Sequence, residues 1–373
     1  MKQFPIVGRL PSGPLGTIAD VAGVTVGHAT IAKGDLQTGV TVVRPHPGDP
    51  FLAKVPAAAV VINGFGKSVG LLQLNELGVF ETPIALTTTL QIGTVAMAQV
   101  RSTIAAHPGL ARNTTTVNPL VFECNDGYLS DVQALPITDA HYEEALAATT
   151  TNFARGAVGA GRGMSCFGLK GGIGTASRVV SIDGQHYTLG VMSLANFGRL
   201  ETITVAGRPL GALLAERLAA RVAAARDEVA QQGDSGTHND STPPPESAPQ
   251  RDMGSIITVI ATDAPVDHRQ LRRIATRAAA GIGRAGSYYG HGSGDIALAF
   301  TTATTVPHDS TPSIREMRVL AEPLLEALFE ASAEATEQSI VDALFHAETV
   351  TGFAGHTRYA LTDLAPDWRE LLR

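Results

Sequence analysis

With 373 residues, 44% of them apolar and 17% charged, the chain has the composition of a globular protein with ample core, as one large domain or two. A net charge of -7 without any Lys/Arg block argues against a nucleic-acid-binding protein. Its two cysteines, Cys124 and Cys166, are too few for a disulfide framework or a cysteine-based metal site.

The opening MKQFPIVGRLPSG lacks an apolar core of signal-peptide length, and no apolar run approaches the roughly 20 residues of a membrane span. A cytoplasmic protein is expected. Ile18 to His28 reads as a first strand, Thr38–Pro45 as a second stopped by proline, and Pro56–Gly64 as a third buried on both faces. A helix from about Ser68 to Leu77 follows, with Leu71, Leu72 and Leu74 on its apolar side and Gly78 as its stop.

Pro83–Thr89 is a further strand and Ile92 to His107 a helix ending before Pro108. Thr116 to Tyr128 is a strand running into a polar turn, a place where strands deliver functional groups. Asp139 is a candidate cap for a helix through about Phe153. The glycine-rich runs Gly156–Gly163 and Gly168–Arg178 follow a helix instead of joining strand to helix, so tight turns are favoured over dinucleotide binding. His186–Gly198 is a strand ending in a polar turn, and Pro209 opens a long Ala/Leu/Arg helix to about Val229.

From Gln231 to about Asp252 the chain is nearly all Gly, Ser, Thr, Pro, Asn, Asp, Gln and Glu, a tether too polar to offset its ordering entropy. Directly after it comes the β-branched strand Ser255–Ala261, preceded by Gly254. Val266 to Ile282 is helical with a solvated basic face, Gly290–Asp295 leads into the strand Ile296–Phe300, Ile314 to Phe345 holds one broken helix or two, and the tail is irregular. Strands alternate with helices on both sides of the tether, an α/β pattern of layered sheets. Because the segment after the tether has only two convincing strands, 1–254 and 255–373 are expected to form one interlocked domain that tolerates a chain break between them.

A serine after a glycine can attack the preceding carbonyl, and hydrolysis of the resulting ester frees its amine. That amine has a reference pKa of about 7.7 to 8.0, so it can serve as base for its own hydroxyl. Ser293 and Asp295, two apart at a strand entry, can share a face and orient such a nucleophile, or can simply form the turn that starts the strand.

The ordered segments IADVAGVTVGHAT, TGVTVVRP, INGFGKSVGLLQLNELG, TPIALTTTLQIGTVA, NPLVFECNDGYLSD, GLKGGIGTASR, LANFGRL, GSIITVIATDAP and GSGDIALAF resemble the self-processing aminopeptidases. That family comprises the DmpA-like L-aminopeptidase/D-esterase-amidases and the β-aminopeptidases, fold relatives of the ornithine acetyltransferases. The resemblance implies a layered αββα sandwich of N-terminal-nucleophile type. It implies an autoproteolytic serine aminopeptidase acting on small peptides, amides or esters, without metal or organic cofactor, as a homotetramer of cleaved protomers.

Residue by residue, Ser255 matches the nucleophile freed by cleavage after Gly254, and Ser293 and Asp295 the pair that completes the site. Asn196 matches the oxyanion-hole amide, Glu123 the acid that receives the substrate ammonium, and Tyr128 a tyrosine on the oxyanion side. Asn63, Lys67 and Lys170 are further pocket candidates, while the family chemistry gives His291 no role. Two readings stay open beside this one: a hydrolase of amide-linked oligomers with the same nucleophile, and an uncleaved binding or scaffold member of the fold.

Overall fold

The computed structural model describes residues 4–231, 254–309 and 313–373, so nearly all of the 231–252 tether lies outside the described residues. In chain order the long strands are β1 (Thr25–Lys33), β2 (Leu36–Arg44), β3 (Ala53–Gly64), β4 (Ile84–Thr88), β5 (Leu120–Cys124), β6 (Gly172–Ile182), β7 (Gln185–Asn196), β8 (Ser255–Thr262) and β9 (Gly294–Thr301). The principal helices are α1 (Leu71–Leu77), α2 (Ile92–Ala106), α3 (Asp139–Ala147), α4 (Gly211–Gln231), α5 (His268–Thr276), α6 (Ala278–Arg284) and α7 (Glu326–His346).

One sheet has four strands in the order β1-β2-β4-β5. The other has seven, with the long strands ordered β3-β9-β8-β7-β6 and the short strands Val79–Phe80 and Val306–Pro307 both pairing with β3. Between the sheets lies a shared core to which the first contributes Val26, Val43, Leu86 and Phe122, and the second Ala57, Met192, Leu194, Val259 and Leu298. On the outer face of the smaller sheet, Val40, Val42 and Val121 pack against α2 and α3. On that of the larger, Ala176, Val191, Ile260, Ala297 and Ala299 pack against α5 and α7. The result is the αββα sandwich that the alternating pattern and the resemblance imply.

Strand periodicity explains these layers. In β9 Ile296, Leu298 and Phe300 face the inter-sheet core while Ala297 and Ala299 face the helices, so large side chains fill one space and small ones admit helices on the other. All eight residues of β8 are buried. Burial of a side chain such as Val259 or Ile260 stabilises the fold by about 1.5–3 kcal/mol. This strand pairs antiparallel with β7 and parallel with β9, which in turn pairs antiparallel with β3. Strands from both sides of residue 254 therefore share one sheet.

Several expectations are corrected. Ile18–Asp20 is a 3-10 turn, because the Thr17 and Asp20 side chains cap each other's backbone, and β1 begins only at Thr25. In α1 Leu74 is buried but Leu72 is 89% exposed, and the helix starts at Leu71. The run Gly168–Arg178, read as turns, supplies most of the edge strand β6. Its glycines serve helix packing, since a Cβ on Gly174 would lie 1.9 Å from the Ser339 carbonyl oxygen of α7. The helix expected over 266–282 is two, α5 and α6. The tail holds a small hairpin, Val350–Thr351 against Thr357–Arg358, and two one-turn helices. Among the described residues no helix is long and apolar enough to cross a membrane.

Candidate active site

Ser255 opens the central strand of the larger sheet, opposite Asn196 at the end of β7 and Gly294 at the start of β9. Ile257 and Val259 face the inter-sheet core, as do Met192 and Leu194. Two residues back and two residues on, Ser255 and Asn196 fall on that same face, at the rim where the core ends. Ser255 is 6% exposed. The Gly294 N–H donates to Ser255 Oγ at 3.1 Å and lies 3.3 Å from the Gly254 carbonyl oxygen. A Cβ on Gly254 would lie 2.0 Å from the Asn196 carbonyl oxygen and 2.6 Å from the Phe197 Cα. Only glycine allows this approach.

Ser293 Oγ donates to Asp295 Oδ1 at 2.6 Å, a length typical of a hydroxyl on a carboxylate, and both side chains are buried. The pairing of β9 with β3 shifts register between Asp295 and Ile296, a bulge of the kind that re-aims side chains at strand ends. Asn63 holds this turn from the neighbouring strand by donating to the Ser293 carbonyl and, at 3.0 Å, to that of Gly290. The Asn196 carboxamide is fixed at both ends: Oδ1 accepts from the Ser165 N–H at 2.8 Å and Nδ2 donates to the Asn125 carbonyl at 3.0 Å. An amide NH2 carries two hydrogens, so one is left for a further acceptor.

Glu123 reaches the same region from the smaller sheet. Its buried Oε1 accepts from the Lys67 N–H at 3.0 Å and lies 3.9 Å from Lys67 Nζ. Gly66 links the two halves, since a Cβ there would lie 3.5 Å from Glu123 Oε1 and 3.9 Å from the Gly294 Cα. Cys124 sits beneath Ser255, its thiol donating to the Ser255 carbonyl at 3.4 Å. Burial, together with the nearby Glu123, Asp295 and Asp126 carboxylates, pushes that thiol well above its usual pKa, so it stays protonated. Asp126 is fully buried and accepts from Thr88 Oγ1 at 2.6 Å, and burial pushes its carboxyl up to about 6. Tyr128, 39% exposed, lies at the outer end of the same turn with its ring stacked on His356. Among the described residues no group of three or more His, Cys, Asp or Glu could hold a metal ion.

The model of peptidase family S58 matches residues 16–358. The chain belongs to peptidase family S58. It is a hydrolase of the aminopeptidase class. The β-peptidyl aminopeptidase BapA of Sphingosinicella microcystinivorans is 37% identical over 369 residues, covering 95% of this chain and 86% of the relative. The crystal structure of the PH0078 protein from Pyrococcus horikoshii OT3 superposes with a TM-score of 0.84 at 41% identity, over 98% of this chain and 95% of that one. The L-aminopeptidase D-Ala-esterase/amidase of Ochrobactrum anthropi, described as a prototype for the serine aminopeptidases and a variant of the Ntn hydrolase fold, matches with a TM-score of 0.81 at 31% identity. It covers 99% of this chain and 98% of that one.

Within the S58 fold the site candidates divide. Ser255, Asn196, Ser293, Asp295 and Glu123 converge where the two sheets meet. Lys170 does not line a pocket: it is buried, with Nζ donating to the carbonyls of Gly161, Met164 and Gly171 at 2.8 to 3.0 Å, and burial pushes its pKa down to about 7. Asn63 acts on the backbone of the Ser293 turn, and His291 is exposed beside Phe65. The Gly294 N–H, Ser165 and Cys124 escaped the sequence reading. A backbone donor leaves no residue signature, and a serine or cysteine placed by folding looks like any other.

Proposed function

We propose that the chain cuts its own Gly254-Ser255 bond and that Ser255, with its freed α-amine, then removes N-terminal residues from short peptides, amides or esters. The observation that carries this reading is the contact of one N–H, that of Gly294, with both Ser255 Oγ and the Gly254 carbonyl oxygen. In the first step Ser255 Oγ attacks the Gly254 carbonyl carbon and the bond to the Ser255 nitrogen breaks, leaving an ester and a free amine. Water then hydrolyses the ester, releasing the Gly254 carboxylate. Segments 1–254 and 255–373 stay together because β8 lies between β7 and β9 in one sheet.

In turnover the amine takes the Ser255 hydroxyl proton as the oxygen attacks the substrate carbonyl, and returns it to the leaving amine. The Ser293–Asp295 pair orients the nucleophile, and Asn196 faces the developing oxyanion, where one donor is worth about 2.7–4 kcal/mol of transition-state stabilisation. Glu123 receives the substrate ammonium and Tyr128 lines the oxyanion side. The relatives named for β-peptidyl substrates bring N-terminal β-amino acids into the substrate class alongside α-amino acids. The assembly is a homotetramer of cleaved protomers, to be measured by light scattering.

Denaturing electrophoresis of purified protein tests the reading. Two fragments are expected, the smaller beginning Ser-Ile-Ile-Thr, with Ser255→Ala remaining one chain and inert on aminoacyl anilides. A wild-type chain that stays whole and inactive would falsify the proposal.

A further inference from the structure

The hairpin of Val350–Thr351 and Thr357–Arg358 brings one arginine to the site from the far end of the chain. The Arg358 guanidinium carbon lies 3.5 Å from the Tyr128 ring centroid, and the His356 ring stacks on the same phenol at 4.6 Å and 12°. Two groups this close cannot share a face, so the ring is clamped between them. Arg358 Nε donates to Ser165 Oγ at 3.1 Å, and the Ser165 N–H holds Asn196 Oδ1. Arg358 is thus joined through one serine to the amide that flanks Ser255.

A guanidinium carries five N–H donors, and here Nε alone has a hydrogen-bond acceptor among the described residues. No carboxylate among those residues forms an ion pair with it, although the side chain is half-buried. Burial lowers its pKa, and the Tyr128 phenol offsets only part of the lost hydration. The Nη edge is a planar fork of the kind that binds a carboxylate bidentately. An extended peptide advances about 3.3 Å per residue, so a carboxylate one or two residues past the scissile bond falls within reach of a group this close to Asn196.

We propose that Arg358 receives the free C-terminal carboxylate of the substrate, which makes this aminopeptidase selective for di- and tripeptide acids over their amides. The inference rests on the proposed aminopeptidase reaction. The test compares a dipeptide acid with its C-terminal amide on the wild type, Arg358→Gln and Arg358→Lys, following amino-acid release. The wild type is expected to show a KM about ten- to a hundredfold lower for the acid, the range of a hydrogen bond to a charged group. Arg358→Gln should bring the ratio near one, and Arg358→Lys should restore part of it.

A wild-type ratio near one overturns the proposal whatever the variants do. An Arg358→Gln protein that loses kcat on both substrates equally, with the ratio intact, also overturns it and makes Arg358 a support for Ser165 and Asn196. A wild type that releases no amino acid from either substrate or from an aminoacyl anilide sinks the underlying reaction as well, which separates the two failures.

Discussion

Gly294 and Ser255 face each other across parallel strands so that the Gly294 N–H meets Ser255 Oγ at 3.1 Å and the Gly254 carbonyl oxygen at 3.3 Å. A donor on that carbonyl draws electrons from the carbon that Ser255 would attack, while the same strand pairing holds the hydroxyl beside it. The arrangement depends on the approach of Gly254 to the Asn196 backbone. Gly254→Val should leave the chain uncut, because any Cβ there meets backbone atoms 2.0 and 2.6 Å away and forces the scissile carbonyl off the Gly294 N–H. Gel analysis at successive times checks this, and cleavage at the wild-type rate would contradict it.

Replacing Asp295 by Asn keeps the shape of the Ser293 partner but removes its charge. A fall in kcat of about 10- to 100-fold is expected, matching the 1.5–3 kcal/mol of a charged hydrogen bond. Steady-state kinetics on an anilide, with the fold checked by circular dichroism, gives the answer; an unchanged kcat would remove Asp295 from the mechanism.

Asn196→Ala removes a donor and also releases the Ser165 N–H and the Asn125 carbonyl. Losing an oxyanion donor typically lowers kcat by about 10²–10³-fold. If Asn196 faces the oxyanion, kcat falls while KM changes little, and a change confined to KM would assign it to ground-state binding.

Glu123→Gln should raise KM by about ten- to a hundredfold for substrates with a free ammonium, as expected for loss of a charged, buried acceptor. Its backbone partner Lys67 N–H can still be met by the Gln carbonyl oxygen, so the turn is retained. Equal KM values for the two proteins would place the ammonium site elsewhere.

Stability should fall on acidification partly through His28. Its Nε2 lies 3.0 Å from the Ala154 carbonyl and its Nδ1 2.9 Å from Thr41 Oγ1, and burial pushes its pKa down to about 4. The unfolded chain takes up this proton near pH 6.5 and the folded one only near 4, so the contribution is complete above 6.5 and is lost as pH falls through 4. At 1.36 kcal/mol per pKa unit the loss reaches roughly 3 kcal/mol. His28→Gln should flatten the Tm–pH profile across this window relative to wild type, whereas parallel profiles would count against it.

The candidate site residues that the fold brings together were legible because each lies in a contiguous signal. The tether ends at Gly254-Ser255, GSGD sets Ser293 and Asp295 two apart, and LANFG and FECNDGY end buried strands. Lys170 was misread for want of burial information: from sequence it is a cation among glycines, and in the fold it ties together three carbonyls. Arg358 gave no signal, since it sits in a tail without periodicity and meets Tyr128 only after a separation of more than two hundred residues.

The sequence by itself determined the α/β class, most of the long strands, the need of the second segment for partners from the first, and the identity of the nucleophile candidate, because period-two apolar patterns and turn residues act locally. Only the tertiary structure decided which groups meet. Strand order places Asn196, Ser255 and Gly294 side by side and sets Glu123 over Gly66, and it delivers a lone guanidinium beside Tyr128. Such contacts arise from the packing of two sheets whose strands are remote in sequence, and their energies depend on burial and distance, which no local pattern encodes.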